Sequence, residues 1–156
     1  MSDKINDMAW HIGEILIQKK LISWEQLHDA LEEQKQTKEM TGQVLIRKRY
    51  ISENLFYKAL AEQYQLRFVD LRRTRINPKG VSLIPQSIAT KYAIMPIEVN
   101  LNSLVIGISN PRLWPEQELK EISQMVEIRP VICSPEAIQL AIDENYPKHP
   151  AVPEKS

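Results

Sequence analysis

Glycine and cysteine are scarce in this chain, four and one among 156 residues, and each scarcity closes off a chemistry. Hydrolysis of a nucleotide on a phosphate loop needs a GxxxxGKS or GxxxxGKT run, whose backbone amides and lysine hold the phosphates. None of Gly13, Gly42, Gly80 or Gly107 begins such a run or a GxGxxG turn. The lone Cys133 cannot close an internal disulfide, and no Cys and His stand at zinc-site spacing, so a reducing compartment and no metal are expected. HExxH, GxSxG and CxxC are missing too, and the three histidines, His11, His28 and His149, form no recognisable triad. The expectation is a chain that is not an enzyme and holds no resident cofactor. Charge of one sign is also lacking: twenty basic residues balance twenty acidic ones. No whole-molecule field then draws the protein onto nucleic acid or an anionic membrane. No apolar run reaches the roughly 18 residues of a membrane span, and the opening MSDKINDMAW lacks the basic and apolar regions of a secretory signal. The chain reads as cytoplasmic, with no nucleic-acid binding and no membrane insertion.

What is there, in a composition of 43% hydrophobic and 26% charged residues that is ordinary for a globular protein, is an internal repeat. His11 to Gln34 aligns without a gap over Met40 to Gln63, and ten of the 24 positions are identical. They are Gly13/Gly42, Leu16/Leu45, Ile17/Ile46, Lys19/Lys48, Ile22/Ile51, Ser23/Ser52, Ala30/Ala59, Leu31/Leu60, Glu33/Glu62 and Gln34/Gln63. Each copy reads as helix, tight turn, helix. Ile12, Ile15 and Leu16 mark one amphipathic face that ends near Leu21 and Ile22. Ser23 then suits an N-cap, with Gln26 completing a capping box; Ser52 repeats the cap, but Leu55 replaces the box partner. Leu27, Leu31 and Gln34 share a stripe on the second helix, as do Phe56, Leu60 and Gln63. Two features exceed core-building: a glycine inside each opening helix, at a cost of about 1 kcal/mol relative to alanine, and a glutamine ending each stripe. Close helix packing and a solvated helix end explain either alone; their recurrence at one spacing shifts the balance toward a two-fold site.

These residues resemble the N-terminal domain of the GspE, PilB and MshE ATPases of type II secretion and type IV pili, the MshEN domain. The resemblance runs from about Ile12 to Tyr146. Members that bind cyclic di-GMP carry two 24-residue motifs that open on Arg-Leu-Gly, continue through two aliphatic pairs separated by a glycine, and end on Leu, Leu and Gln. The resemblance implies a ligand cradle of His11, Ile12, Gly13, Leu16, Ile17, Leu21, Ile22, Leu27, Leu31 and Gln34, with Gly42, Leu45, Ile46, Tyr50, Ile51, Phe56, Leu60 and Gln63. Two departures stand out. The opening arginine is His11 in one copy and Met40 in the other, and the second glycine is Lys20 and Arg49. The turn at those positions is expected either to be built differently or to carry strain of about 1 kcal/mol or more. Lys20, Arg47 and Arg49 are candidate phosphate contacts, or else complements to the negative helix ends.

After Gln63 the pattern changes. LRFVDL (66–71) reads as a strand, and Arg72, Arg73 and Arg75 as a solvated linker or an acidic partner's surface, leading to an Asn77-Pro78 turn. VSLIPQSIATKY reads as one short helix with Ile84, Ile88 and Tyr92 on a face. AIMPIEVN and SLVIGIS are strands of a hairpin, with Pro96 marking an edge or bulge. PEQELKEISQMV is a helix, IRPVIC a strand and PEAIQLAIDENY a helix. Trp114 is either a partner anchor or packed beneath its loop. The fold expected is α+β: a helical subdomain of two tandem helix-turn-helix repeats, residues 9–65, then a small α/β subdomain with a short mixed sheet, residues 66–146. Residues 1–8 are expected to be flexible and 147–156 disordered. The function expected is a docking or regulatory module of a type II secretion or type IV pilus system. Its partner would be the cytoplasmic part of an inner-membrane platform protein such as GspL, or a separately encoded ATPase, with peripheral placement at the inner membrane through that partner. The alternative is a cyclic di-GMP receptor.

Overall fold

A computed structural model of the chain describes residues 11–147, which fall into two compact units divided between Arg67 and Phe68. The expectations for residues 1–8 and for most of the tail lie outside the described residues.

The first unit is all helix. Residues 11–18 are helical (α1), followed by α2 (Trp24–Thr37), α3 (Thr41–Arg47) and α4 (Glu53–Gln63). The caps predicted from sequence are present. Ser23 Oγ accepts from the Gln26 amide at 3.1 Å while Gln26 Oε1 accepts from the Ser23 amide at 3.0 Å, a complete capping box on α2. Ser52 Oγ accepts from the Leu55 amide at 3.2 Å, and α4 has only this half of the device. At the other end of α1 the Leu21 amide donates to the Leu16 carbonyl and the Lys20 amide to the Ile17 carbonyl; at the end of α3, Tyr50 donates to Leu45 and Arg49 to Ile46. Both turns are Schellman closures, which require a left-handed residue just past the helix. Lys20 (φ 62°) and Arg49 (φ 63°) take that conformation without being glycine. Of the two outcomes expected at these positions, the turn keeps its shape and the side chain carries the strain. The core of this unit is Leu16, Leu27, Ala30, Val44 and Leu45, all with no exposed surface.

The second unit is built on a three-stranded mixed sheet, order β1-β2-β3, from β1 (Ile94–Val99), β2 (Ser103–Ile108) and β3 (Glu127–Ile132). β1 and β2 form the expected antiparallel hairpin, and its register slips between Pro96 and Glu98, so the proline sits at a bulge. β2 and β3 run parallel, with α7 (Glu116–Ser123) in the connection between them. Pro130 is tolerated because β3 lies at the sheet edge. α8 (Pro135–Asn145), capped by Ser134 with proline in its first turn, packs on β1 and β2, and the Tyr146 hydroxyl behind it donates to the buried Ile84 carbonyl at 2.7 Å. Leu104, Ile106, Ile108, Ile132 and Ile138 form the fully buried centre.

Four local readings need correction. Residues 66–71 are not a strand: only Phe68 bridges to Ile132, because Asp70 Oδ1 accepts from the Arg72 amide and winds Leu71–Arg73 into a 3-10 turn. Asn77-Pro78 is a helix start, with Asn77 capping α5 (Pro78–Leu83) through the Lys79 amide. The single helix expected across 81–92 is two, α5 and α6 (Gln86–Tyr92), because Pro85 forces Ile84 into extended backbone (φ −120°, ψ 120°). The helix read over PEQELKEISQMV stops at Ser123, where Gln124 turns left-handed at φ 63°. Arg72 pairs with Glu136 at 3.1 Å, and Trp114 is half-buried.

The strained turns make a direct prediction. Lys20→Gly and Arg49→Gly should each raise unfolding free energy by about 0.5–1 kcal/mol, the left-handed relief of about 1–2 kcal/mol less the extra chain entropy of glycine. Urea denaturation followed by circular dichroism checks it; a loss of stability at either position would contradict the turn geometry.

Candidate functional site

The repeat folds back on itself with reciprocal contacts. Lys48 of the second copy reaches Glu33 of the first at 3.1 Å, and Lys19 of the first reaches Glu62 of the second at 2.6 Å. Lys19 aligns with Lys48 and Glu33 with Glu62, so one pair is the image of the other. Exchange of i–j contacts for j–i contacts is the signature of a two-fold arrangement, here within one chain.

Each hairpin closes over its glycine. A Cβ added to Gly13 would lie 2.8 Å from both methyls of Leu27, and one added to Gly42 would collide with the Phe56 ring. The glycines let the two helices of each copy approach, which is a packing role. Phe56 fits in place of a leucine by lying against that bare backbone and edge-on to Tyr57, ring centroids 5.0 Å apart.

The implied cradle divides by exposure. Ile12, Gly13, Leu16, Ile22 and Leu27 are buried in the first copy, as are Gly42, Leu45, Ile51 and Phe56 in the second, and these build the core. Ile17, Leu31 and Gln34 are half-buried, as are Ile46, Leu60 and Gln63. These three pairs are identical between copies, and they keep surface that a ligand can reach. Leu21 and Tyr50 are also half-buried but differ in chemistry, and His11, Lys20, Arg47 and Arg49 are exposed.

The two glutamines are not equivalent. Gln34 Oε1 accepts from the Thr41 hydroxyl at 2.6 Å, whereas Gln63 Oε1 is buried with no hydrogen-bond partner among the described residues. Such an orphan acceptor costs about 1–3 kcal/mol unless a donor reaches it. Thr41 was not singled out from sequence. It is a polar residue at the position where the first copy has Ile12, and that mismatch was the available signal.

Arg47 does not offer a free guanidinium. It is bound by Glu33 and by Glu39, the latter at 2.7 Å. Next to it, Asp29 accepts from Lys48 at 2.5 Å and from the Tyr50 hydroxyl at 2.6 Å. Hydrogen bonds from Lys48 and then Tyr50 hold the Asp29 carboxyl below its ordinary value, and Arg47 does the same first for Glu33 and Glu39. Asp29 and Glu33 in turn push Lys48 up to about 12. Lys20 and Arg49 make no ion pair among the described residues. Cys133 is buried in the second unit, and burial pushes its thiol up to about 12, the state of a structural rather than a reactive cysteine. Among the described residues no cluster of His, Cys, Asp and Glu could hold a metal, and no helix is long and apolar enough to cross a membrane.

Comparison with known proteins agrees with this architecture. The family model for the MshEN domain matches residues 64–152, and the chain belongs to that family. The type IV pilus assembly ATPase PilB of Myxococcus xanthus (strain DK1622) is 28% identical over 140 residues, 89% of this chain and 25% of PilB. The chain thus spans about a quarter of that curated relative. Among solved structures, MshE with cyclic di-GMP is 27% identical with a TM-score of 0.71, covering 86% of this chain and 98% of that one. The N-terminal domain of XpsE shares the fold at 15% identity and a TM-score of 0.60, covering 87% of this chain and 94% of that one. The chain is thus related to the N-terminal domains of secretion and pilus ATPases.

The ion network sets a pH dependence. Carboxyls held below their unfolded values near 3.8 and 4.5 contribute stability that is present above those values and lost as pH falls through the lower folded ones. Lys48 and Tyr50, both held above their unfolded values, contribute stability that is present below about pH 10 and lost as pH rises through the folded ones. Asp29→Asn with Glu33→Gln should therefore melt at lower temperature than the parent at pH 7 and lose less on acidification. Equal acid limbs in calorimetry would show that the network is not coupled to folding.

Proposed function

We propose that this chain is a non-catalytic docking or regulatory module of a type II secretion or type IV pilus system. It would act at the cytoplasmic face of the inner membrane by binding a GspL-like platform protein or a separately encoded ATPase. The observation that carries this reading is the state of the cations around the repeat. Neither opening position holds an arginine, since His11 and Met40 stand there, and Arg47 is engaged by Glu33 and Glu39. Losing two charge-assisted hydrogen-bond donors costs a dinucleotide about 3–6 kcal/mol, or two to four orders of magnitude in affinity. The apolar frame persists, which suits a domain kept for its protein contacts.

A second reading, a cyclic di-GMP receptor, has its own support. The likeness to MshE with its ligand covers most of the chain, the half-buried pairs Ile17/Ile46 and Leu31/Leu60 are retained in both copies, and Gln63 keeps an unused acceptor.

Calorimetric titration separates the two. Cyclic di-GMP at about 100 µM should give no saturable heat with the parent chain, and a variant carrying His11→Arg, Met40→Arg, Lys20→Gly and Arg49→Gly should bind in the micromolar range or tighter. The parent should co-elute with the cytoplasmic domain of a platform protein or with an ATPase of such a system. Parent affinity for cyclic di-GMP tighter than about 1 µM would replace the first reading with the second.

A further inference from the structure

The two-fold arrangement of the repeat is broken at its rims as well as at the two glutamines, and at one rim the structure leaves a hole. A cavity of about 350 Å³ opens between Lys19, Leu21, Leu55, Lys58, Ala59 and Glu62. Stepping back by one repeat from the α4 residues, and forward by one from the α1 turn, gives their images: Lys48, Tyr50, Gln26, Asp29, Ala30 and Glu33. The image set is closed. Tyr50 lays its hydroxyl on Asp29 at 2.6 Å, Lys48 binds Asp29 and Glu33, and Gln26 caps its own helix.

The differences that open the cavity are few. Leu21 replaces the tyrosine, so the ring and hydroxyl are missing; Lys58 replaces the aspartate, so the shared carboxylate is missing; Leu55 replaces the glutamine, so the rim is apolar. One contact survives the exchange, Lys19 to Glu62, the image of Lys48 to Glu33. The charge inverts. The closed set carries one lysine and two carboxylates, net −1; the open set carries two lysines and one glutamate, net +1. Glu62, one turn along α4 from Lys58, is engaged by Lys19, and Lys58 has no acidic partner among the described residues. The hole therefore lacks an apolar or aromatic group and a carboxylate beside it, which is what its twin supplies from within.

We infer that this cavity is a docking groove for an acidic segment of a partner protein, which inserts an aromatic or aliphatic side chain against Leu21, Leu55 and Ala59 and lays a carboxylate on Lys58. The inference rests on the docking reading above and names the chemistry of the segment that is bound. The groove shares Leu21 with the implied ligand cradle, and its other five lining positions are ones that the nucleotide motif leaves unspecified. Peptide anchoring of this kind follows charge complementarity around a buried apolar anchor.

The test uses the isotope-labelled full chain and a capped acidic hexapeptide with tyrosine and leucine set between aspartates and glutamates, against its asparagine and glutamine isostere. Saturable amide shifts centred on Leu21, Leu55, Lys58 and Ala59 are expected, with the neutral peptide at least about tenfold weaker. Leu21→Tyr with Lys58→Asp copies an arrangement the chain already builds once; it should stay folded and lose peptide affinity about tenfold or more. Lys58→Gln, an exposed change, should weaken the acidic peptide about threefold and leave the neutral one unaffected. Tyr50→Leu with Asp29→Lys should open the twin and add shifts there. Equal binding of the neutral peptide, shifts centred elsewhere, no saturation, or full binding by the closed variant would each overturn the proposal. So would displacement of the peptide by cyclic di-GMP, which would make the groove a nucleotide seat. A platform or ATPase partner that binds parent and closed variant alike sinks the groove and leaves docking standing; a parent chain that binds no such partner sinks docking itself.

Discussion

The helices of each hairpin can close only to the distance that the missing Cβ atoms of Gly13 and Gly42 permit, and the first unit is organised around that approach. Leu27 and Phe56 occupy the space where a methyl would stand. With the hairpins closed, the aliphatic residues before each turn reach the centre of the unit, where Leu16 and Leu45 have no exposed surface. The reciprocal pairs Lys19–Glu62 and Lys48–Glu33 then tie one hairpin to the other. Exposed pairs of this kind are worth little singly, in the range of 0–1 kcal/mol, so they specify how the copies face each other more than they hold them together.

The repeat therefore separates two kinds of constraint. Most positions that hold the shape are kept in both copies: the glycines, Leu16/Leu45 and Ile22/Ile51, the capping serines and the crossing ion pairs. Positions on the rims have diverged: Gln26 against Leu55, Asp29 against Lys58, Leu21 against Tyr50. One rim is knitted shut by its own side chains and the other is not. A strictly two-fold ligand would meet two unlike surfaces here, even though the scaffold beneath them is nearly symmetric.

Most of the fold was legible because its signals are local. Ser23 with Gln26, Ser52 alone, Pro96 in a strand and Pro135 at a helix start each announce their structure within four residues. The misreadings arose where an apolar run overrode short-range turn chemistry. Asp70 curls what looks like a strand, and Pro85 splits what looks like one helix by straightening Ile84. Of the candidate site, the apolar frame could be read from the repeat, whereas the engagement of Arg47 by Glu33 and Glu39 could not, since those partners are 14 and 8 residues away. The crossing pairs left a trace that periodicity does not interpret: two lysines and two glutamates retained at matching positions, on surfaces where no core requires them.

Cys133 gives the second unit a built-in clock. Its sulfur is fully covered, lies against the Gly107 backbone and is the chain's one thiol, while the first unit contains none. An alkylating reagent therefore reacts only when that unit opens around the sulfur, and the rate of modification counts such openings without reporting on the hairpins.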